Sequence, residues 1–432
     1  MASNPMGAGI SSLRRLSQSR LVNALHLHKP LEKLVFHGTK YSINSLEGFS
    51  GKSKGKNSAE RMGKPDASKA LFDITPTEDQ TMFCDAVARL AADLIRPAAS
   101  EADTQSETPA ELLQQVHELG LTHFAIPEAF GGAASERSPL SQALVAEQLA
   151  HGDMGIAVAA LAPMAVINAL VDFGTAEQQS RYLPRFTEDK FVPAALAITE
   201  AQPMFDPRKL KTTAEAVADG FMLSGEKTLV PLAVNAELIL VAAELPGKGP
   251  RLFIVGNGQE GVTIKPSPAM GLRAAALGTV TLNNVKVDAD NLLGNDDFDY
   301  GKLQSQSQVA WSALATGCAQ AMLDYVIPYV KERKAFGEPI AHRQAVAFLV
   351  ANIGIELEGL RLMMLRAAGQ LEQGDATQAA RLAYIQAIDK GMEIGNNGVQ
   401  LLGGHGFTKE HPAERWYRQM RGLAAIHGGV TV

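Results

Sequence analysis

The stretch RLFIVGNGQEGVTIKP (251–266) decides the fold. Its centre, GNGQEG (256–261), matches the dinucleotide fingerprint GxGxxG letter for letter. That fingerprint needs a strand before the glycines and a helix after them, so that a pyrophosphate meets the helix N-terminus. Here both flanks, RLFIV and VTIKP, are short, apolar and β-branched, and both read as strands. The glycines are therefore expected to make a hairpin turn inside a β region.

Working outward, VPAALAIT (192–199), FMLSG (221–225), LILVAAEL (238–245) and GTVTLNNVKV (278–287) are further strand-like runs divided by glycine-bearing turns. Helical patterns lie on either side. DITPTEDQTMFCDAVARLAADLI (73–95) places Pro76 at a helix start with acids in its first turn. In 346–364 the residues Val346, Leu349, Val350, Ile353, Leu357, Leu360 and Met364 fall three or four apart, one long buried helix face. Helices, then strands, then helices is a segregated order, which argues against a doubly wound βαβ protein and for an α+β chain of several domains. The expected divisions are a basic extension and linker (1–70), a helical domain (71–190), a middle β domain (191–297) and a C-terminal helical domain (298–432).

A chain of 432 residues, 46% hydrophobic and 20% charged, can bury a full core in two or three domains. It contains no run of 18 or more apolar residues, so no bilayer span is expected. Cys84 and Cys318 lie far apart, fit no CxxC or zinc spacing, and are expected to be reduced. The net charge of −6 hides an asymmetry: residues 1–70 carry twelve Lys/Arg against four Asp/Glu. LRRLSQSRLVNALHL (13–27) reads either as an acid-free presequence or as a basic amphipathic surface helix, and the latter admits a peripheral membrane contact. Residues 48–70 are rich in Gly, Ser and Lys and read as a linker. Nothing interleaves basic and aromatic residues as a nucleic-acid platform does, so no nucleic acid is expected.

Several motifs mislead. His26 and His28 stand in a basic tail with no carboxylate beside them. GGHG (403–406) lacks a P-loop lysine, although its glycines would let backbone approach a nucleotide. His405, His411 and His427 share no helical ligand spacing, and no metal set is expected.

Five stretches in order, ELGLTHFAIPEAFGG (118–132), FGTAEQQSRYLP (173–184), GLRAAALGTVTLNNVKVDADNLLG (271–294), ERKAFG (332–337) and GVQLLGGHGF (398–407), resemble signatures of the acyl-CoA dehydrogenase family. The resemblance runs from about residue 72 to the end. It implies an N-terminal helical domain, a middle β-barrel or sandwich domain and a C-terminal four-helix bundle, with FAD as cofactor and an acyl-CoA thioester as substrate. It also implies α,β-dehydrogenation with hydride transfer to the flavin and, as electron acceptor, an electron-transferring flavoprotein. Arg333 would pair with the FAD pyrophosphate, a diphosphate being well matched by a guanidinium fork. Phe336 and Gln344 would line the adenine side, and Thr199 would touch the flavin ring. Gln400, Gly403 and Gly404 would approach the adenosine half across a subunit boundary, which implies a homodimer or homotetramer. The extension 1–70 resembles those of larger bacterial members and favours a bacterial cytoplasm over a mitochondrial matrix.

The sequence departs from the family at the reacting centre. The usual base is a glutamate in a Tyr-Glu-Gly-Thr-like pattern about nine residues after an aromatic–Arg pair. Counting from WYR (416–418) puts that position on His427 and the next glycine on Gly428; a one-residue slip puts it on Gly428. The alternative base position, on the first helix of the bundle, falls near Ser307 with Gln308 beside it, and neither is an acid. These residues are expected to face the substrate. Leu229, Val230 and Pro231 replace the Trp-x-Thr beside the flavin, and AQPMFDP (201–207) replaces the Gly-rich turn after Thr199. Two functions follow: dehydrogenation with His427 as base, its reference pKa of about 6.5 suiting proton abstraction near neutrality and its backbone N–H aimed at the thioester oxygen, or a flavin-binding, catalytically silent scaffold that acts as a partner subunit or in another flavin reaction.

Overall fold

The computed structural model describes residues 75–134, 137–374 and 376–432. The basic segment 1–70, with its amphipathic pattern, linker and membrane contact, lies outside the described residues.

The first helix among the described residues, α1 (Glu78–Leu90), begins later than its proline suggests. The Thr77 hydroxyl accepts the Gln80 N–H at 3.2 Å, and the Gln80 side chain accepts the Thr77 N–H at 2.9 Å. This capping box sets the start, leaving Pro76 outside the helix. One π turn (Ala91–Ile95) joins α1 to α2 (Arg96–Gln105), followed by α3 (Ala110–His117), α4 (Pro139–Gly152), α5 (Met154–Phe173) and α6 (Ala176–Tyr182).

Helix α5 is long and apolar enough to cross a membrane, yet Met154 through Leu170 are all buried within the protein, as in a core helix. Its N-terminus is capped by Asp153, fully buried, whose carboxylate accepts the N–H groups of Gly155 and Ile156. The same carboxylate takes Arg415 Nε at 3.0 Å and the Gln419 amide at 2.9 Å, from the far end of the chain.

The middle region is one curled seven-stranded sheet: β1 (Ala194–Ala197), β2 (Thr213–Val217), β3 (Gly220–Val230), β4 (Leu238–Leu245), β5 (Gly249–Gly256), β6 (Val262–Pro266) and β7 (Gly278–Asp288). The order is β1-β4-β2-β3-β7-β6, with β5 also on β4. Strand β4 is buried on both faces: Leu238, Leu240 and Ala242 join the helical core, while Ile239, Val241 and Ala243 join the core inside the sheet. GNGQEG does connect two strands, but they are not a hairpin. β5 pairs with β4, and β6 pairs with β7. The Gly261 carbonyl accepts the Asn283 N–H, and a Cβ on Gly261 would lie 2.6 Å from the Asn283 carbonyl. That close approach to β7 carries the chain away from β5.

After the sheet, α7 (Tyr300–Glu332), α8 (Gln344–Glu372), α9 (Thr377–Leu402) and α10 (Ala413–Gly422) form the bundle, with a small hairpin, β8 (Lys334–Ala335) and β9 (Glu338–Pro339), between α7 and α8. On α8, Ile353, Leu357, Leu360 and Met364 are buried while Val346, Leu349 and Val350 pack half-buried against them. Gly317 of α7 lies against the α4 backbone, where a Cβ would come within 2.0 Å of the Glu147 carbonyl oxygen. Cys318 is buried in α7, Cys84 is half-buried, and both are free.

Candidate active site

Thr199 stands two residues beyond strand β1, and its side chain meets the last residues of the chain. Its hydroxyl accepts the His427 N–H at 2.8 Å and donates to the His427 carbonyl at 3.0 Å. The Trp311 indole N–H, from α7, donates to the Gly428 carbonyl at 2.9 Å. Tyr384 of α9 shares its hydroxyl between the carbonyls of Leu423 and Ile426, and Asn168 of α5 donates to Thr431. Gly428 and Gly429 have φ of +74° and +79°, a region that favours glycine. A Cβ on Gly428 would lie 2.7 Å from Ile198, and one on Gly429 would lie 2.8 Å from Pro231. Residues 428–432 are all buried.

The His427 ring is half-buried, packed edge-on against Phe205 (centroids 5.6 Å) and tilted against Tyr384 (6.0 Å). Burial pushes its pKa below the ordinary 6.5, with the Asp206 carboxylate pulling the other way. The space beside it is only about 20 Å³, lined by Gln304, Ser307, Gln308, Trp311, Tyr384 and Gly428. The structure thus brings Ser307, Gln308, His427 and Gly428 to one cavity, as positions implied by the resemblance. The His427 N–H, however, is held by Thr199 rather than free for a thioester oxygen.

Phe205, Asp206, Trp311 and Tyr384 were not anticipated. Phe205 and Asp206 belong to AQPMFDP, which is anchored where Tyr300 donates to the Pro207 carbonyl at 3.0 Å. Neither was Lys227, a strand lysine with no exposure, paired at 2.7 Å with Glu200 beside Thr199. Glu200 is buried, yet Lys227 and the N–H groups of Lys211 and Thr212 outweigh that burial and hold its carboxyl down at about 2. Burial lowers Lys227 to about 8 against the pull of Glu200. Just beyond, β3 shifts register between Lys227 and Val230, and Leu229 takes φ +52°.

The second group of implied residues lies on open surface. Arg333 caps α7 and is exposed, as is Gln344 at the start of α8. Phe336 and Gly337 turn the β8–β9 hairpin with φ of +56° and +86°, the pattern of a type I′ turn, and Phe336 is 95% exposed. A non-glycine residue in that region costs about 1–3 kcal/mol and marks functional sites more often than chance. The Arg343 guanidinium stands 5.7 Å from the Phe336 ring centroid. Gln400 lies in the last turn of α9 and Gly403 and Gly404 follow it, all exposed, with nothing within 4 Å of where a Cβ on either glycine would stand. Tyr329, one turn before Arg333, donates to the Leu402 carbonyl at 3.5 Å, so these two stretches adjoin.

Family models for the N-terminal, middle and C-terminal domains of acyl-CoA dehydrogenases match residues 77–190, 195–285 and 305–431. This chain belongs to the acyl-CoA dehydrogenase family. It is 31% identical over 368 residues to the mitochondrial short/branched chain specific acyl-CoA dehydrogenase of Bos taurus, covering 83% of this chain and 84% of that protein. A subunit of the caffeyl-CoA reductase–Etf complex of Acetobacterium woodii is 32% identical over 339 residues, 76% of this chain and 88% of its own. Among solved structures, butyryl-CoA dehydrogenase from Megasphaera elsdenii superposes with a TM-score of 0.76 at 27% identity, over 83% of this chain and 96% of that one. The dehydrogenase fold of the three domains matches what the five stretches imply.

Acyl-CoA dehydrogenases are FAD flavoproteins, and the two ends of this site fit that group differently. The exposed Arg333, the strained Phe336 and the open glycines at 403–404 suit an adenosine diphosphate. The ring end does not fit as arranged: Thr199 is fully engaged by His427, and Gly428 and Gly429 lie in contact with Ile198 and Pro231. A flavin ring between Thr199 and the bundle requires residues 427–432 to move.

Proposed function

We propose that the chain is an acyl-CoA dehydrogenase-type oxidoreductase in which the His427 ring accepts the α-proton of an acyl thioester once the backbone of residues 427–432 releases Thr199. One observation carries this reading: a half-buried imidazole, kept neutral at pH 7 by its surroundings, shares one cavity with Ser307 and Gln308 at the position of the missing glutamate. A neutral ring nitrogen can take a proton, and Phe205, Tyr384 and Trp311 wall it from water. FAD, when bound, supplies the hydride acceptor. Thr199, freed from His427, would face the ring, and Arg333 would hold the diphosphate. The pull of burial on His427 has a pH consequence: the proton-acceptor-limited rate should stay level at neutrality and fall only as pH drops through a value below 6.5.

The reading includes an electron-transferring flavoprotein as acceptor, supported by the Etf-associated relative. It also includes a homodimer or homotetramer. Phe348, Ile355 and Leu362, seven residues apart and exposed on α8, with Leu382 and Ile385 exposed on α9, present apolar surface for a second copy.

A second reading, a silent scaffold acting as a partner subunit, is favoured by the 20 Å³ cavity, far too small for a thioester. Anaerobic titration with a panel of acyl-CoAs, followed by flavin absorbance, separates the two. Bleaching that disappears in His427→Ala and persists in His427→Glu supports the dehydrogenase. Binding without bleaching in the wild type, with bleaching gained in His427→Glu, supports the silent scaffold. A protein that cannot be loaded with FAD overturns both.

A further inference from the structure

The turn after α9 gathers a set of side chains that the acyl site does not use. In GGHGFTKEH (403–411), Gly403–Phe407 forms a 3-10 turn and the chain then doubles back before α10. His405, Glu410 and His411 each bring a potential ligand atom to within 4.8 Å of the other two. Helical spacing would not have revealed this; the turn does it. We propose that His405, Glu410 and His411 form a binding site for one divalent transition-metal ion of the zinc type.

The chemistry of the set fits. Two imidazoles and a carboxylate are the donors of many zinc centres, with bonds of about 2.0–2.2 Å and room for water as a fourth ligand. Tetrahedral donors at that bond length stand about 3.4 Å apart. His405 Nδ1 and Glu410 Oε2 already stand at 3.3 Å. The His405 and His411 rings are 5.8 Å apart and nearly perpendicular, at 85°, so the rings do not stack face to face. The remaining closure, from at most 4.8 Å to about 3.4 Å, is within reach of His405 and Glu410, which are both exposed.

His411 is also pre-oriented. Its Nδ1 lies 2.6 Å from the Tyr325 hydroxyl of α7, and its ring packs against Tyr325 and Tyr329. An Nδ1–H donated to the phenol oxygen leaves the Nε2 lone pair free for a metal. That is the outer partner a metal-bound histidine ordinarily has, and it fixes both tautomer and ring angle. A bound ion would tie the 403–407 turn to the start of α10 and stabilise the folded chain by mass action.

The test titrates the full-length protein with zinc sulfate against a chromophoric chelator, then with cobalt(II) to read the ligand-field bands of a nitrogen and oxygen donor set. Expected is one saturable site, weakened at least tenfold by His411→Ala, by His405→Ala and by Glu410→Gln. Tyr325→Phe, which keeps the ring and removes only the outer partner, should weaken it about tenfold. Replacing both His26 and His28 by Ala should leave it unchanged. Absence of saturable binding in the wild type overturns the proposal. So does binding that survives His411→Ala combined with Glu410→Gln, or binding lost when His26 and His28 are replaced.

Discussion

The two ends of the cofactor site are built in opposite ways. At the adenosine end the family-like residues stand exposed, and strain is accepted: Phe336 turns a hairpin with φ +56° and almost no cover. At the ring end the departures gather about His427: Ser307 and Gln308 share its cavity of about 20 Å³, Phe205 packs on its ring, Asp206 acts on its charge, and Pro231 lies against Gly429. Side chains waiting for a ligand keep open hydrogen-bonding capacity, whereas those satisfied internally have become part of the core. The comparison teaches where a ligand must do work to enter: not at Arg333, but at Thr199.

The largest test of this contrast is Glu200→Gln. It takes away the group that holds the proton on Lys227, so a fully buried lysine must either stay charged without a partner or give up its proton, and the loss should cost about 3–5 kcal/mol in urea unfolding at pH 7. Because the Glu200 carboxyl is held at about 2 in the fold, against 4.5 ordinarily, its contribution is present above pH 4.5 and is lost as pH falls from 4.5 towards 2. The variant should therefore show a flatter acid limb. An unchanged limb would mean that the ring end is looser than its contacts imply.

Next come the glycines, which compare the two ends directly. Gly428→Ala should cost about 1–3 kcal/mol, from its left-handed backbone and the 2.7 Å approach to Ile198. Gly404→Ala, with nothing within 4 Å, should stay within about 0.5 kcal/mol. Equal melting temperatures would break the comparison. Thr199→Val removes both partners of the His427 backbone and should cost about 1–3 kcal/mol. If the tail is what closes the ring end, the same variant should take up FAD faster on reconstitution. The smallest effect on stability is expected for Phe336→Ala, within about 0.5 kcal/mol. Its FAD retention on gel filtration should nevertheless fall clearly below wild type.

Much of the fold was legible because its causes are local. Spacing alone marked the buried face of α8, and short β-branched runs marked β4, β5 and β7. What lay beyond reading was partnership at long range. RLFIV and VTIKP announce strands, but only the approach of Gly261 to Asn283 sends β6 to β7 instead of back to β5. Counting from motifs reaches Ser307 and His427, and the family resemblance implies Thr199. Their closure by Phe205 and Tyr384 could not be reached that way, since those residues lie 222 and 43 positions from His427 in a chain with no pattern linking them. Lys227 sits in an ordinary-looking GEKT stretch, and its one signal was Glu200, an acid ending an apolar strand. His405 and His411 share no helical spacing; the 3-10 turn at Gly403–Phe407 and the irregular residues after it bring them together.

The capping carboxylate of Asp153 has a bearing on how the protein is made. Its charge is neutralised by Arg415, 262 residues further along the chain. During synthesis α4 and α5 emerge long before that arginine, so until then Asp153 has the N–H groups of Gly155 and Ile156 as partners but not its ion pair. The nascent N-terminal helices can collapse, but the buried end of α5 cannot close until α10 supplies Arg415 and Gln419, which places completion of this core at the end of synthesis.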